Sequence, residues 1–457
     1  MFAIVTLYLV VVLLFLLLFP TQRAKNFPPG PRPIPVLGNL LELSLESPLA
    51  DLERLAKRYG NVYSLFMGPR PAVVINGLQA LKEALVDKSA DFSGRPQDLM
   101  VNRAVQVKDH APGVILADNT PGWRDHRRFG LMTLRDLGLG KQTMEQRILG
   151  EIECVTKILG EKAGKATDPQ LLFHNAASNI MCQILFAKKF DYDDEFMKFS
   201  VGLMHETSKI INGRWGMIYD YVPIVRKLPL PFRRAFELFK MSHDKRMEML
   251  AENKKTRVPG KPRHFIDCYL DELDKRGNDG SSFSEDQLCA LLLDLHFAGT
   301  DTTANSVLTA FLYLMNYPEA QERCQQEIDK VLDGKDQASF EDRHQMPYTQ
   351  GTIIIPNLSS VMFEEGQWKS PREFNPENFL NEQGEFVKPD AFLPFSTGPR
   401  KCLGEALARM ELFLFVVTLL RKFKFIWPED AGEPDYIPVF GTTQTPKPYR
   451  MKVQLRG

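Results

Sequence analysis

The sequence lacks the cysteine spacing of a disulfide scaffold or a zinc site. Its 457 residues include six cysteines, and no two of them form a CxxC pair. Scattered cysteines of this kind are typical of reduced thiols in a protein that faces the cytosol. The sequence therefore predicts neither structural disulfides nor a cysteine-held zinc ion.

An excess of charge of one sign is also missing, because 57 basic residues balance 57 acidic residues. General nucleic-acid binding needs a basic field that displaces counterions, so this balance argues against a nucleic-acid partner. Hydrophobic residues make up 44% of the chain, which is too many for a disordered protein. The 30 glycines and 31 prolines follow no collagen-like period. We therefore expect a globular fold.

One long hydrophobic run is present, at the amino terminus. Residues 2–19 carry no charge and are almost entirely apolar, and a helix of this length spans about 27 Å, close to the hydrocarbon thickness of a bilayer. A cleavable signal is the alternative, but the basic segment and small-residue cleavage site of a signal are both missing. The first basic residues follow the run, which predicts that the remaining chain lies in the cytosol. We predict a membrane anchor over residues 1–20, a proline-rich linker over 21–37 and one large domain over 38–457.

The rest of the sequence has a mainly helical pattern with a few short strands. Ser284 precedes two acidic residues and a long apolar stretch, which predicts a helix that runs to about Asn316, just before Pro318. Further predictions are a helix over 49–60, a hairpin around 68–69, a helix that begins at 120–121, a strand over 351–361, a helix over 406–420 and short strands near the carboxyl terminus. The predicted fold class is mainly α with small β-sheets.

Cys402 lies in a glycine- and proline-containing loop, directly after two basic residues and before an apolar helix. Adjacent cations and a helix N-terminus stabilise a thiolate, which is the form of cysteine that binds metal. A chance cysteine in a surface loop is the alternative. However, all five fixed positions of the signature FxxGxRxCxG are present, as Phe395, Gly398, Arg400, Cys402 and Gly404. On these positions the sequence resembles the cytochrome P450 family, specifically its microsomal drug- and fatty-acid-metabolising members, over essentially the whole chain.

The resemblance implies a cofactor, a reaction and a set of partners. The cofactor is haem b (heme b, iron protoporphyrin), with Cys402 as the axial thiolate ligand of the iron. The implied reaction inserts one oxygen atom of O2 into a small apolar substrate, such as a xenobiotic, a fatty acid or a steroid. The electrons come from NADPH through NADPH–cytochrome P450 reductase, and cytochrome b5 is a second donor that the resemblance allows. The implied location is the endoplasmic reticulum membrane, with residues 38–457 forming a cytosolic haem domain of the cytochrome P450 fold.

The hexad AGTDTT, residues 298–303, falls in the middle of the long predicted helix. A satisfied kink is the structural alternative, because threonine hydroxyls can bond back to the preceding turn and bend a helix. In the family that the chain resembles, the same hexad lies over the haem, where the bend makes room for dioxygen. The resemblance therefore implies that Ala298 and Gly299 line the cofactor site. It also implies that Asp301 and Thr302 form the acid–alcohol pair that delivers protons to dioxygen.

Trp123 and Arg127 are four residues apart and so share one face of a helix. Taken separately, a tryptophan is more often a core residue and an arginine is more often a solvated cation. In the family, this WxxxR pair binds the haem propionates, with Arg400 and Arg95 as companions. Guanidinium groups suit carboxylates because two of their N–H bonds can donate to the two carboxylate oxygens at once. The eight histidines form no metal-binding motif, so we predict that they are structural or surface residues.

One family feature is missing from the sequence. None of the glutamates is followed three residues later by arginine, whereas the family carries Glu-x-x-Arg on a helix before the cysteine loop. The residues on either side of the 350/351 junction resemble segments that flank this helix, and roughly 30–40 residues between them are missing, enough for a helix and a hairpin. Two alternatives to a monooxygenase follow. One is a catalytically inactive, truncated membrane-bound variant with poor haem retention, and the other is a haem-thiolate isomerase or peroxygenase.

Overall fold

The computed structural model describes residues 23, 25–35, 37–44, 46–106, 113–138, 142–277, 279–352, 361, 364–371 and 373–456. The predicted membrane anchor lies outside the described residues. Within those residues, no helix combines the length and the apolar character that crossing a membrane requires.

Helices dominate the described part of the chain, and two small sheets accompany them. The helices are α1 (Pro48–Tyr59), α2 (Leu78–Lys82), α3 (Ser89–Phe92), α4 (Met100–Val105), α5 (Pro121–Asp136), α6 (Gln142–Glu161), α7 (Gln170–Phe186), α8 (Glu195–Ile211), α9 (Arg214–Tyr221), α10 (Phe232–Thr256), α11 (Phe265–Arg276), α12 (Glu285–Asn316), α13 (Pro318–Val331), α14 (Pro347–Thr352) and α15 (Glu405–Lys422). The strands are β1 (Val62–Met67), β2 (Arg70–Ile75), β3 (Ala166–Thr167), β4 (Phe423–Ile426) and β5 (Met451–Leu455). This composition confirms the predicted mainly α class with small β-sheets.

The predicted long helix is confirmed as α12, which has 32 residues. It begins at its predicted cap, because the hydroxyl oxygen of Ser284 accepts a hydrogen bond from the Gln287 amide at 3.1 Å. Most of its side chains are buried, and Phe311 stacks on Phe173 of α7 and on Phe425 of β4, with ring centroids 5.8 and 4.1 Å away. Because α12 packs into the main hydrophobic core, residues 298–303 lie midway along a helix that crosses the fold.

The predicted hairpin and the carboxyl-terminal strands are also confirmed. β1 and β2 pair antiparallel, with Val62 opposite Ile75 and Met67 opposite Arg70. Gly68 supplies the positive φ, 62°, that the connecting turn requires. In the second sheet, β5 lies between β3 and β4.

The predicted strand over 351–361 is wrong wherever the structure describes it. Residues 351 and 352 complete α14, and residue 361 is also helical. The strand prediction rested on the β-branched residues after Gly351, but Glu327 favours a helix by accepting hydrogen bonds from the Tyr348 and Thr349 amides, at 3.1 and 2.7 Å. The Gln350 amide donates to the Met346 carbonyl at 2.8 Å. The 350/351 junction therefore lies within a short helix.

Candidate functional site

The cysteine loop is closed by its own backbone and precedes α15. The Cys402 amide donates to the Phe395 carbonyl at 2.9 Å. Gly398 has a φ of 73°, and a Cβ atom there would lie 1.9 Å from the Leu85 carbonyl oxygen. Only glycine fits this position, because any side chain would overlap the backbone of the neighbouring turn. The loop leaves Cys402 exposed, immediately before the N-terminus of α15.

The pKa of Cys402 differs from the prediction, which was that adjacent cations and the helix N-terminus stabilise its thiolate. Desolvation by the surrounding protein atoms raises the pKa of the Cys402 thiol, although the residue is exposed. The Gly404 amide and the charges of Arg127 and Lys401 lower the pKa, but they do not outweigh desolvation. The cations of the loop are therefore not sufficient to make a thiolate. A bound metal ion deprotonates a coordinating thiol directly.

The hexad on α12 presents an open face in an otherwise buried helix. Ala298 and Thr302, one turn apart, are both exposed, and the Thr302 hydroxyl donates to the Ala298 carbonyl at 2.6 Å. On another side, a Cβ atom at Gly299 would lie 2.3 Å from the sulfur of Met181, so glycine allows α7 to pack closely there. The back-bond of the Thr302 hydroxyl is the contact that the structural alternative, a satisfied polar residue within the helix, requires.

Asp301 and Thr302 have different hydrogen-bond partners. Its Oδ1 atom lies 3.3 Å from Nε2 of His174 on α7, and its Oδ2 atom accepts a hydrogen bond from the Thr443 hydroxyl. Burial works to raise the pKa of Asp301, but the hydrogen bonds from His174 and Thr443 outweigh it and hold the pKa below its usual value. Asp301 and Thr302 are thus adjacent in the chain while only Thr302 lies on the exposed face.

Three arginines of the predicted site come together beside the cysteine loop. Arg127 donates to the carbonyl of Lys401, next to Cys402, and Arg400 donates to the carbonyls of Ser93, Val114 and Ala117. Desolvation and the charges of Arg95 and Arg127 lower the pKa of Arg400 to about 10. Arg95 and Arg127 therefore both lie near Arg400, and backbone carbonyls are the main hydrogen-bond partners of the three arginines.

The Trp123 ring packs against two arginines of this cluster, Arg127 and Arg400. Its indole Nε1–H donates to the Val114 carbonyl at 3.0 Å, and the ring is buried. The Arg400 guanidinium stacks 3.8 Å from the ring centroid, and that of Arg127 lies at 5.8 Å. In this arrangement Trp123 acts by cation–π packing under Arg400, and its N–H group already has an acceptor.

The residues present fit a haem group. Haem b carries two anionic propionates. The guanidinium groups of Arg95, Arg127 and Arg400, with Asp118 as a nearby carboxylate, form a donor set suited to such anions. The exposed Cys402 provides a sulfur ligand. A Cβ atom added at Gly404 would meet no atom within 4 Å, which leaves open space at the end of the cysteine loop.

Three polar residues around the hexad were not predicted from the sequence: His174, Glu411 and Thr443. Thr303 donates to Glu411 of α15 at 2.8 Å, and this bond joins α12 to the helix that follows Cys402. Glu411 is fully buried, and desolvation raises its pKa to about 8, although the bond from Thr303 lowers it. No sequence signal marks these residues, because each is a single polar side chain in an element assigned to packing or a loop.

A recess of about 300 Å³ lies away from the cysteine loop, between Asp168, Trp427 and Tyr449. Both of its basic side chains are paired, with Lys447 2.5 Å from Asp435 and Arg450 2.9 Å from Asp430. We assign no function to this recess, because none of the predicted site residues lines it.

Comparison with known proteins agrees with this geometry. The cytochrome P450 family model matches residues 28–353 and again residues 350–453. The chain belongs to the cytochrome P450 family. It is 36% identical to cytochrome P450 2D15 of the dog, Canis lupus familiaris, over 98% of this chain and 97% of that relative. It is 37% identical to cytochrome P450 2D14 of Bos taurus (97% and 96% covered) and 35% identical to cytochrome P450 2F2 of Mus musculus (94% of each).

Membership of the family has direct consequences for activity and cofactor. Cytochromes P450 of this kind are monooxygenases, and their cofactor is haem with a cysteine thiolate ligand. The predicted family, enzyme class and cofactor are therefore confirmed. The role of each site residue named above in binding haem stays a prediction.

Proposed function

We propose that this cytochrome P450 inserts one oxygen atom of O2 into a small apolar molecule, a xenobiotic or a fatty acid. We further propose that its electrons come from NADPH through NADPH–cytochrome P450 reductase at the endoplasmic reticulum membrane. The relatives of the 2D and 2F groups support the reaction class. The apolar run at residues 2–19 supports the membrane location.

A single observation carries this proposal. Exposed Cys402 adjoins a cluster of three arginines, in which Arg95 and Arg127 both lie near Arg400. A sulfur ligand beside an anion-binding cluster matches the two ends of haem b, its iron and its propionates. When bound, haem supplies the iron at which dioxygen is activated, and the cysteine thiolate favours cleavage of the O–O bond.

The residues on α12 supply the proton chemistry in this proposal. The Thr302 hydroxyl lies on the exposed face of α12, where it donates to the Ala298 carbonyl, so it is placed to donate a proton to a molecule on that face. Asp301, the preceding residue, resupplies that proton. The open face at Ala298 and Thr302 leaves room for substrate and dioxygen.

We also propose that the chain lacks one internal segment at the 350/351 junction. Three observations support this: Glu-x-x-Arg is missing from the sequence, the family model matches in two separate parts that meet at residues 350–353, and the alignment with the dog relative extends over 488 residues although the chain has 457. The experiments below use the chain as written and a restored version. The restored version carries the corresponding segment of the dog relative between Gln350 and Gly351.

Removing the Thr302 hydroxyl should uncouple the restored enzyme. We expect Thr302→Ala to lower the ratio of product formed to NADPH consumed by about 10-fold or more, because general acid catalysis typically contributes about 10²–10⁴ in rate. NADPH should still be consumed, with hydrogen peroxide released instead of product. The measurement is product, NADPH and peroxide in the same reaction, with a common substrate of the relatives as probe.

Thr309→Ala is the matched control, because Thr309 makes the same back-bond on α12, to the Asn305 carbonyl at 2.8 Å, outside the hexad. Thr302→Ser, which keeps a hydroxyl, should retain most of the coupling. If Thr302→Ala and Thr309→Ala give the same product-to-NADPH ratio, Thr302 has only a structural role.

A basic cluster supports the proposal that the redox partner is an acidic electron-donor protein. Its members are Arg124 and Arg128 on α5, Lys401 in the cysteine loop, and Arg409, Arg421, Lys422 and Lys424 on α15 and β4. Arg128, Lys422 and Lys424 are exposed, whereas Lys401 and Arg409 share Glu405, at 2.7 and 3.0 Å. Exposed cations of one sign steer an oppositely charged partner toward the surface that carries them.

Reversing two of these charges should slow electron transfer. We expect Arg128→Glu with Lys422→Glu in the restored version to lower the rate of reduction by the reductase about 10-fold at low salt. The difference should shrink as salt rises, since the screening length falls from about 10 Å at 0.1 M to about 3 Å at 1 M. Lys240→Glu on α10 is a control at an exposed cation outside the cluster. A reduction rate that is indifferent to salt and to both substitutions contradicts this docking surface.

A further inference from the structure

A buried histidine–carboxylate contact joins α7 to the central helix. His174 has 2% of its side chain exposed and Asp301 has 14%. The Nε2 atom of His174 lies 3.3 Å from Oδ1 of Asp301, and its Nδ1 atom lies 2.8 Å from the Gln170 carbonyl oxygen. Both ring nitrogens therefore face a protein oxygen atom.

The chemistry of these two oxygens fixes the number of protons on the ring. A carbonyl oxygen can only accept a hydrogen bond, so Nδ1 must carry a proton. An ionised carboxylate can also only accept, so Nε2 must carry a second proton whenever Asp301 is ionised. The Thr443 hydroxyl donates to the other oxygen of Asp301, which favours the ionised form. These contacts are therefore satisfied when His174 is an imidazolium and Asp301 is a carboxylate.

We propose that His174 is doubly protonated and acts as the positioning residue that fixes the Asp301 carboxylate beside Thr302 and stores a proton next to it. This proposal rests on the proposed function, in which Asp301 resupplies the proton of Thr302. His174 and Thr443 each bind one carboxylate oxygen and together set the plane of the group. In a proton transfer, the Nε2 proton moves to Oδ1 and leaves a neutral imidazole, still bonded to Gln170 through Nδ1. A proton from solvent later restores the imidazolium.

The other charged groups near the pair lie on α8. The ring of His205 lies 6.1 Å from that of His174, centroid to centroid. Desolvation and the charge of His174, with a smaller contribution from Lys209, lower the pKa of His205, while Asp301 raises it. His205 is therefore neutral above pH 7, and Asp301 is the carboxylate that balances the charge of His174.

Nuclear magnetic resonance of the ring nitrogens tests the proposal with a measurement other than activity. The restored version, made with ¹⁵N-labelled histidine, is measured in detergent micelles at pH 7.5. We expect one histidine with both ring nitrogens protonated, and we expect this signal to disappear in His174→Gln. In Asp301→Asn, the same ring should become neutral. A His174 ring with a single proton at pH 7.5 overturns the proposal.

His344→Gln is the matched control. His344 faces Glu341 at 3.7 Å, but this pair is 64% and 76% exposed, so water screens it. Its removal should leave the His174 signal in place, which shows that the signal comes from the buried pair and not from any histidine near a carboxylate.

The restored version gives a second, independent measurement. There we expect His174→Leu to lower the product-to-NADPH ratio about 10-fold, and His174→Gln, which keeps one N–H donor, to lower it less. Equal ratios in His174→Leu and the unsubstituted protein overturn the positioning role. A doubly protonated His174 in a protein without a thiolate-type spectrum would support the pair and refute the proposed function, so the two failures are distinct.

Discussion

Cys402→Ser is expected to abolish the thiolate-type carbon monoxide spectrum of the restored version completely. The spectrum depends on a thiolate bound to the haem iron, and a serine hydroxyl does not provide one. Within the described residues, Cys402 is the cysteine that adjoins the arginine cluster, through Arg127 and Lys401. Cys182 and Cys289 are buried, whereas Cys402 is exposed, and burial among apolar side chains is typical of inert cysteines.

Cys154→Ser provides the control for this prediction. Cys154 also has a cation beside it, because its sulfur lies 3.1 Å from Nζ of Lys189, but it lies within α6 and outside the signature loop. Its replacement should leave the spectrum unchanged. Retention of a thiolate-type band in Cys402→Ser, or its loss in Cys154→Ser, is incompatible with the assignment of Cys402 as the axial ligand.

The second large effect concerns the chain as written, which we expect to retain little or no haem. The family's Glu-x-x-Arg pair braces the segment before the cysteine loop, and the proposed deletion removes its helix along with the ion pair. Loss of one partner of a buried pair costs about 3–5 kcal/mol, a large share of a total stability of about 5–15 kcal/mol. The 457-residue chain should therefore be recovered as apoprotein or aggregate, without monooxygenase turnover.

This expectation is checked by expressing the chain and the restored version side by side with a haem precursor. The measurements are the haem content per chain and the elution volume in size-exclusion chromatography. We expect the restored version to bind about one haem per chain and to elute as a folded protein. A chain as written that matches it in both measurements shows that the missing segment is dispensable.

The elements that the sequence predicted well have local signals at both ends. The central helix has a cap at Ser284 and a break at Pro318, and the first hairpin has Gly68 in its turn. The strand expected after Gly351 had only β-branched composition in its favour. It failed in the described residues because hydrogen bonds from a distant helix, through Glu327, extend α14 across the junction.

The site was predictable only where its residues belong to a motif. The spacing of the signature located Cys402 and the glycine at 398, whose φ of 73° no other residue fits well. By contrast, His174 approaches Asp301 through the packing of α7 on α12, across 127 positions of sequence. A contact between single residues of two helices leaves no local pattern, so the sequence suggested only a structural histidine.

The reduced carbon monoxide difference spectrum, recorded on the restored version and on the chain as written, tests the account most directly. We predict a full thiolate-type band for the restored version and little or no band for the 457-residue chain. A full band from the chain as written, at one haem per chain, would contradict the proposed role of the missing segment. No thiolate-type band from a folded, haem-loaded restored version would contradict the assignment of Cys402 and with it the proposed function.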